Sequence, residues 1–321
     1  MMKDAINKFP EQFAYIPEIE NENNLLKKSK VVVCGMGGSH LAGDVLKDID
    51  PSLRVHIHSS YGLPSWKDSE LEQSLIIASS YSGNTEEVLD AYDQARAKKL
   101  PLAAIAVGGK LLEKAKADGV PYITLPSTGI QPRSALGFSF LALVKMIGNV
   151  ELMREAKELS VSLNPGRIED EGKKLATELA GKVPVIYTAA NNYSVAYNWK
   201  IKLNETGKIP AFYNLLPELN HNEMTGFDVT DASKQLSEKF HFIILRDEYD
   251  HERIQKRMDV MEKLYTDRGL SVTRLDLQGA NRLEKIFGSL LMADWTAVYV
   301  AEHYGHESEQ VPMVEEFKKM I

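Results

Sequence analysis

The sequence predicts an α/β chain in which a parallel sheet flanked by helices is built twice. Three observations carry this prediction. Short apolar runs such as Val31–Cys34 and Leu75–Ala78 alternate with longer helix-like segments, the pattern of a doubly wound parallel sheet. The loops after these runs are rich in small residues. The alternation weakens between about Asn149 and Gly166 and then restarts, and 321 residues are enough for two domains of roughly 150 each.

The elements follow in order. Residues 1–29 read as polar and helical. Val31–Cys34 is a first buried strand, followed by the glycine-rich Gly35–Ser39 and a helix to about Asp48. Arg54–His58 and Leu75–Ala78 are the second and third strands, and the helix after the third runs to about Lys98. Leu102–Val107 is a fourth strand, with a helix from about Lys110, and Pro121–Leu125 is a short fifth. An apolar helix spans Ala135 to about Ile147. The charged, Ser/Asn/Pro-containing stretch after it carries the boundary, giving an N-terminal domain over 1–155 and a C-terminal domain over 156–321. In the second half Val183–Thr188 is a strand. Asn191–Ser194 leads into a helix through about Lys208. Phe240–Leu245 and Val272–Leu277 are further strands, and helices fit 250–267, 282–303 and 312–320. Met292, Trp295 and Tyr299, at near-helical spacing, belong to the core. Both halves run strand, small-residue loop, helix, which reads as a divergent tandem duplication.

Composition narrows the function. At 44% hydrophobic and 26% charged residues the chain is neither disordered nor fibrous. Acidic residues outnumber basic ones, 45 to 38, for a formal charge of −7. That argues against nucleic acid as a partner but permits a small phosphate held by a few aimed donors. The single cysteine, Cys34, allows no internal disulfide and fits a reducing compartment. The first residues lack the apolar run of a secretion signal, and no stretch reaches the roughly 20 apolar residues of a membrane helix. The expected setting is the cytoplasm, away from membranes.

Several clusters carry chemistry. In Gly35–Ser39 a glycine-rich turn between strand and helix lets backbone N–H groups approach an anion. A dinucleotide site is disfavoured, because His40 stands where a third glycine is needed and 51–66 contain no acidic residue for the ribose. A tight turn without a ligand is the alternative. Ser79–Thr85 places several hydroxyls after a strand at a helix start, where they can wrap a phosphate. Plain helix capping would need only one of them. Gln131–Ser134 offers Arg133 to an anionic ligand, or simply to the surface. Asn204–Glu223 is the densest polar stretch. Within it Glu205, beside Trp199, Ile201 and Leu203, is a candidate base, and His221 a candidate proton carrier. A solvated helix-end glutamate and a capping histidine are the plainer alternatives. His56 and His58 share one face of a strand, but no third metal ligand of convincing spacing follows.

Together these stretches resemble the bifunctional phosphoglucose/phosphomannose isomerases, built from two sugar-isomerase (SIS) domains. The resemblance covers most of the chain. Its anchors are Gly35–Ser39, Ser80–Thr85, Gln131–Arg133, Asn204–Glu205 and, most specific, Pro217–Glu223. It implies two doubly wound SIS-type subdomains, a homodimer, a hexose 6-phosphate substrate, and neither metal nor organic cofactor. The implied activity interconverts fructose 6-phosphate with glucose 6-phosphate and mannose 6-phosphate through a cis-enediolate. Ser80, Ser82 and Thr85 would hold the phosphate, with Gly37, Gly38 and Ser39 lining the site. Glu205 would shuttle a proton between C2 and C1, and Arg133 would stabilise the enediolate. His221 would open the sugar ring, reaching in from the partner subunit. The tail departs from the family pattern. Asp-Pro-Thr-Pro is expected after Tyr304-Gly305, whereas Glu309 falls near the place of its threonine. Lys318 matches the ring-opening lysine. The alternative that the serine-rich loop also allows is a non-catalytic SIS module sensing a sugar phosphate.

Overall fold

The computed structural model describes residues 2–320. These divide into two compact units, Lys8–Leu163 and a second made of residues 2–7 with 164–320. The division falls at Leu163 rather than 155, because one uninterrupted helix crosses the expected boundary. Residues 2–7 go with the later unit.

Among the described residues up to Ser29, helix α1 (Met2–Asn7) is the only α-helix. The long polar helix expected there is instead broken by Pro10, inside the 3₁₀ turn Phe9–Ala14, and the chain is extended from Tyr15. Proline lacks the N–H a continuing helix needs. The N-terminal unit then alternates β1 (Lys30–Cys34), α2 (Leu41–Ile49), β2 (Arg54–His58), α3 (Asp68–Glu72), β3 (Ser74–Ser79), α4 (Glu86–Ala97), β4 (Leu102–Ala106), α5 (Gly109–Asp118) and β5 (Tyr122–Thr124). It ends with α6 (Leu136–Ile147) and α7 (Val150–Ser162). All five strands are parallel in the order β2-β1-β3-β4-β5, with Val31 opposite Val55 on one side and Leu75 on the other. Alternation of side chains sorts the two faces. Val32, Ile76 and Ala104 meet Val88 and Tyr92 of α4 and Leu111 of α5. On the opposite face α2 lies so close that a Cβ on Gly43 would sit 2.5 Å from Ile57 Cδ1.

The C-terminal unit runs α8 (Glu169–Glu178), β6 (Val183–Ala189), α9 (Tyr193–Glu205), β7 (Phe212–Leu216), α10 (Lys234–Ser237), β8 (Phe240–Arg246), α11 (Glu252–Asp267), β9 (Ser271–Asp276), α12 (Arg282–His303) and α13 (Pro312–Met320). Its sheet is parallel in the order β7-β6-β8-β9. Counted from its own first strand, this is the second-first-third-fourth order of the other sheet. One face packs Tyr187, Phe242 and Ile244 on Met258, Met261 and Tyr265 of α11. On α12, Trp295 is buried and donates to Pro165 O at 2.9 Å, and Met292 is buried with it. Tyr299 is half-buried and donates to Glu169. Helix α1 joins this unit by burying Met2 and Ile6 and by a 2.7 Å ion pair from Lys3 to Glu302 of α12. Among the described residues no helix is long and apolar enough to cross a membrane.

Candidate active site

In each sheet the first strand sends its chain one way and the third strand lies on its other side. The carboxyl ends of these two strands border a crevice where ligands of doubly wound folds sit. In the N-terminal unit the crevice lies between β1 and β3, and the loops after them are Gly35–Ser39 and Ser80–Thr85.

These loops are bonded to each other. Ser39 Oγ accepts from Tyr81 N at 2.9 Å, and Ser39 O accepts from Ser79 Oγ at 2.7 Å. Gly37 takes φ +50°, a left-handed conformation that favours glycine. Gly38 is required for a different reason, since a Cβ there would stand 2.9 Å from both Arg133 N and Pro132 C. The 3₁₀ turn Pro132–Ser134 therefore packs directly on the glycine loop. Arg133 itself is 1% exposed. His40 and Asp44, both buried, pair at 2.7 Å and fix the exit into α2.

The serine-rich loop closes on itself. Ser80, 1% exposed, lies with Oγ 2.8 Å from Thr85 Oγ1 and accepts from Gly83 N at 3.1 Å. Ser82 is exposed, and its Oγ accepts from Asn84 N at 3.2 Å. Thr85 occupies the N-cap of α4, yet its side chain makes no capping bond. Its hydroxyl is turned to Ser80 instead, so capping does not account for the cluster. Gly37, Gly38, Ser39, Ser80, Ser82, Thr85 and the turn bearing Arg133 thus form one assembly.

Glu205, His221 and Lys318 occupy three separate elements of the C-terminal unit. Glu205 is half-buried in the last turn of α9, where Lys208 Nζ donates both to Glu205 O and to Gln310 O of the tail. His221 is exposed at the end of the 3₁₀ turn Glu218–His221. Lys318 is exposed on α13 and paired with Glu315 at 2.8 Å. Glu309 precedes α13, with its N–H bonded to Glu307 Oε1 at 2.7 Å.

The strand histidines have local partners. His56 packs on Trp66 with ring centres 4.7 Å apart, and burial lowers its pKa. His58 Nε2 lies 3.3 Å from Tyr61 O. Among the described residues no group of three His, Cys, Asp or Glu side chains is placed to hold a metal ion. Cys34 is buried in β1, which pushes its thiol up to about 12.

A family model described as the bacterial phospho-glucose isomerase C-terminal SIS domain matches residues 168–321. A bifunctional phosphoglucose/phosphomannose isomerase from Caldicellulosiruptor bescii is 34% identical, over 100% of this chain and 98% of the relative. The chain belongs to the bifunctional phosphoglucose/phosphomannose isomerase family. Another relative of that description, from Aquifex aeolicus, is 32% identical over 91% of this chain and 90% of its own. The fold is shared more widely. The tagatose-6-phosphate ketose/aldose isomerase of Escherichia coli superposes with a TM-score of 0.68 at 15% identity, covering 96% of this chain and 94% of that one.

The second crevice of this isomerase-family chain, between β6 and β8, is built differently. Asp247, fully buried just after β8, accepts from Lys285 Nζ at 2.9 Å, from Tyr249 N at 3.1 Å and from Arg282. Asp250 accepts from Asn192 Nδ2 at 3.1 Å and from Asp247 N at 3.0 Å. A carboxylate of the chain is thus held by two cations at the place where the N-terminal unit presents hydroxyls and N–H groups. Sequence reasoning missed this network. Its signal was Arg282 and Lys285 in the first turn of a largely apolar helix, with Asp247 just after an apolar strand.

Proposed function

We propose that this chain is an aldose–ketose isomerase acting on hexose 6-phosphates in the cytoplasm. It interconverts fructose 6-phosphate with glucose 6-phosphate and mannose 6-phosphate through a cis-enediolate. The observation that carries this reading is the end-to-end similarity to bifunctional phosphoglucose/phosphomannose isomerases. The Ser80–Thr85 loop supports it, since hydroxyls spare from capping at a helix N-terminus are suited to a phosphate monoester.

In this reading Ser80, Ser82 and Thr85 hold the phosphate, and Gly37, Gly38 and Ser39 line it. A proton on carbon beside a carbonyl is weakly acidic. Its removal needs a positioned carboxylate and a cation where oxygen charge develops. Glu205 takes the C1 proton of open-chain fructose 6-phosphate, and the C1–H electron pair becomes the enediolate double bond. Arg133 stabilises the charge on the oxygens. Return of the proton to C2, as the O1 proton passes to O2 and C1 becomes the carbonyl, gives glucose 6-phosphate from one face and mannose 6-phosphate from the other. His221 opens the ring first, donated across a homodimer, with Lys318 assisting. These groups supply the whole proton relay, so no metal or organic cofactor is assigned.

The test is metal-free. Purified protein is incubated with fructose 6-phosphate and excess EDTA, and the two aldose phosphates are assayed separately. Both products are expected. Glucose 6-phosphate alone would remove the mannose assignment. Neither product, with fructose 6-phosphate still raising the melting temperature, would overturn catalysis in favour of a sugar-phosphate sensor.

A further inference from the structure

His221 is exposed, and its ring has no hydrogen-bond partner among the described residues. Its position is therefore set by the backbone that carries it. That backbone leaves β7 through Pro217 and makes two successive 3₁₀ turns, Glu218–His221 and Glu223–Phe227. Short 3₁₀ turns have poor hydrogen-bond geometry and hold little on their own. Two anchors flank the imidazole, each two residues away. Leu219 is fully buried in the core under β6 and β8. Glu223, on the other side, is the polar anchor.

The Glu223 carboxylate accepts from the Tyr187 hydroxyl through Oε1 and from Asn214 Nδ2 through Oε2. Both donors are set by the sheet. Tyr187 is fully buried in β6 and stacks on Phe242 at 5.5 Å. Burial above all, then Tyr265 and the bond to Glu223, push its phenol far above the ordinary value, so it stays a donor. Asn214 is in β7, and its Oδ1 already accepts from Leu215 N at 2.8 Å. That bond fixes which way the amide faces and leaves Nδ2 for Glu223. Two donors aimed from neighbouring strands call for a side chain that only accepts at both oxygens. The segment is braced internally as well, since Asn222 bonds Glu218 Oε1 at 2.8 Å and Glu223 N at 2.6 Å.

We propose that Glu223 is a positioning residue for His221, fastening the 218–227 segment to β6 and β7 so that the imidazole is presented in one place. The inference rests on the reading of His221 as the ring-opening group. Misplacing a reacting group by about 1 Å can cost on the order of 100-fold in rate, so loss of the anchor acts on turnover rather than on phosphate binding.

The test is a double-mutant cycle on the full-length protein, with fructose 6-phosphate turned over to glucose 6-phosphate. Glu223→Gln supplies an amide where one donor needs an acceptor. It is expected to lower kcat by about 10- to 100-fold with KM changed less than about threefold. In the His221→Ala background the same substitution is expected to cost less than about twofold, because there is no imidazole left to misplace. An equal loss in both backgrounds would overturn the proposal and leave Glu223 a purely structural residue. So would wild-type kcat in Glu223→Gln. Wild-type turnover in His221→Ala would instead sink the ring-opening reading, and the inference with it. Tyr187→Phe, which removes one donor and keeps the ring, runs the same cycle if Glu223→Gln does not fold.

Discussion

Glu205 closes α9 with its carboxylate half-buried, on a helix whose other residues include the fully buried Trp199 and Leu203. Glu205→Gln keeps the shape and removes the base. It is expected to lower kcat by about 10²–10⁴-fold while fructose 6-phosphate binding is retained. Steady-state kinetics with binding followed by thermal shift would check this, and near-wild-type turnover would end the role given to Glu205. The sequence offers Glu205 as a candidate base because a carboxylate among apolar neighbours is conspicuous, and the role itself comes from the family resemblance. Glu223 lay in the same polar stretch and drew no role. Its partners, Tyr187 and Asn214, come from two strands, one of them 36 positions earlier, and nothing local announces the pairing.

The inner strands β1, β3 and β4 were legible because they are buried on both faces and read as apolar runs. Arg54–His58 is observed at its expected bounds, and Leu75–Ala78 is extended by one residue at each end. β7 was not legible. It is an edge strand with Phe212 exposed and its middle half-buried, so Phe-Tyr-Asn-Leu-Leu shows neither alternation nor a continuous apolar core. The glycine loop after β1 was visible as a motif, but the distinct needs of its glycines were not. Gly37→Ala meets open space and pays only for its left-handed φ, about 1 kcal/mol. Gly38→Ala drives a Cβ into the backbone of Pro132 and Arg133, neither of which has a flexible end to move. Its expected cost is about 2–3 kcal/mol, with a rise in KM as Ser39 and the Arg133 turn part. Urea denaturation of the two variants tests the ranking, and equal losses would contradict it.

The duplication visible in the sequence recurs as one strand order in both sheets, yet the two crevices have diverged. In the second, burial alone would raise the Asp247 pKa. The bonds from Lys285 and Tyr249 N, with the charges of Lys285 and Arg282, outweigh burial and hold the carboxyl below its ordinary 3.8. A carboxyl with a depressed folded pKa stabilises the fold above its unfolded pKa, and that contribution is lost as pH falls through the folded value. Asp247→Asn is therefore expected to cost about 3 kcal/mol near pH 7, because it removes the buried anion from Lys285, which keeps only the exposed Glu248, and from the partly buried Arg282. The gap from wild type should narrow as pH falls below about 4. Denaturation curves of both proteins between pH 7 and 3.5 would show it, and a pH-independent gap would refute the assignment. Helix α1 has a consequence of another kind. Lys3 and Glu302 meet although 299 positions separate them, and the chain completes all of Lys8–Leu163 in between. On a ribosome adding about 5–20 residues per second, α12 follows α1 by roughly 15–60 seconds. Helix α1 is thus made well before its seat on α12 exists, and until then the nascent chain carries Met2 and Ile6 uncovered.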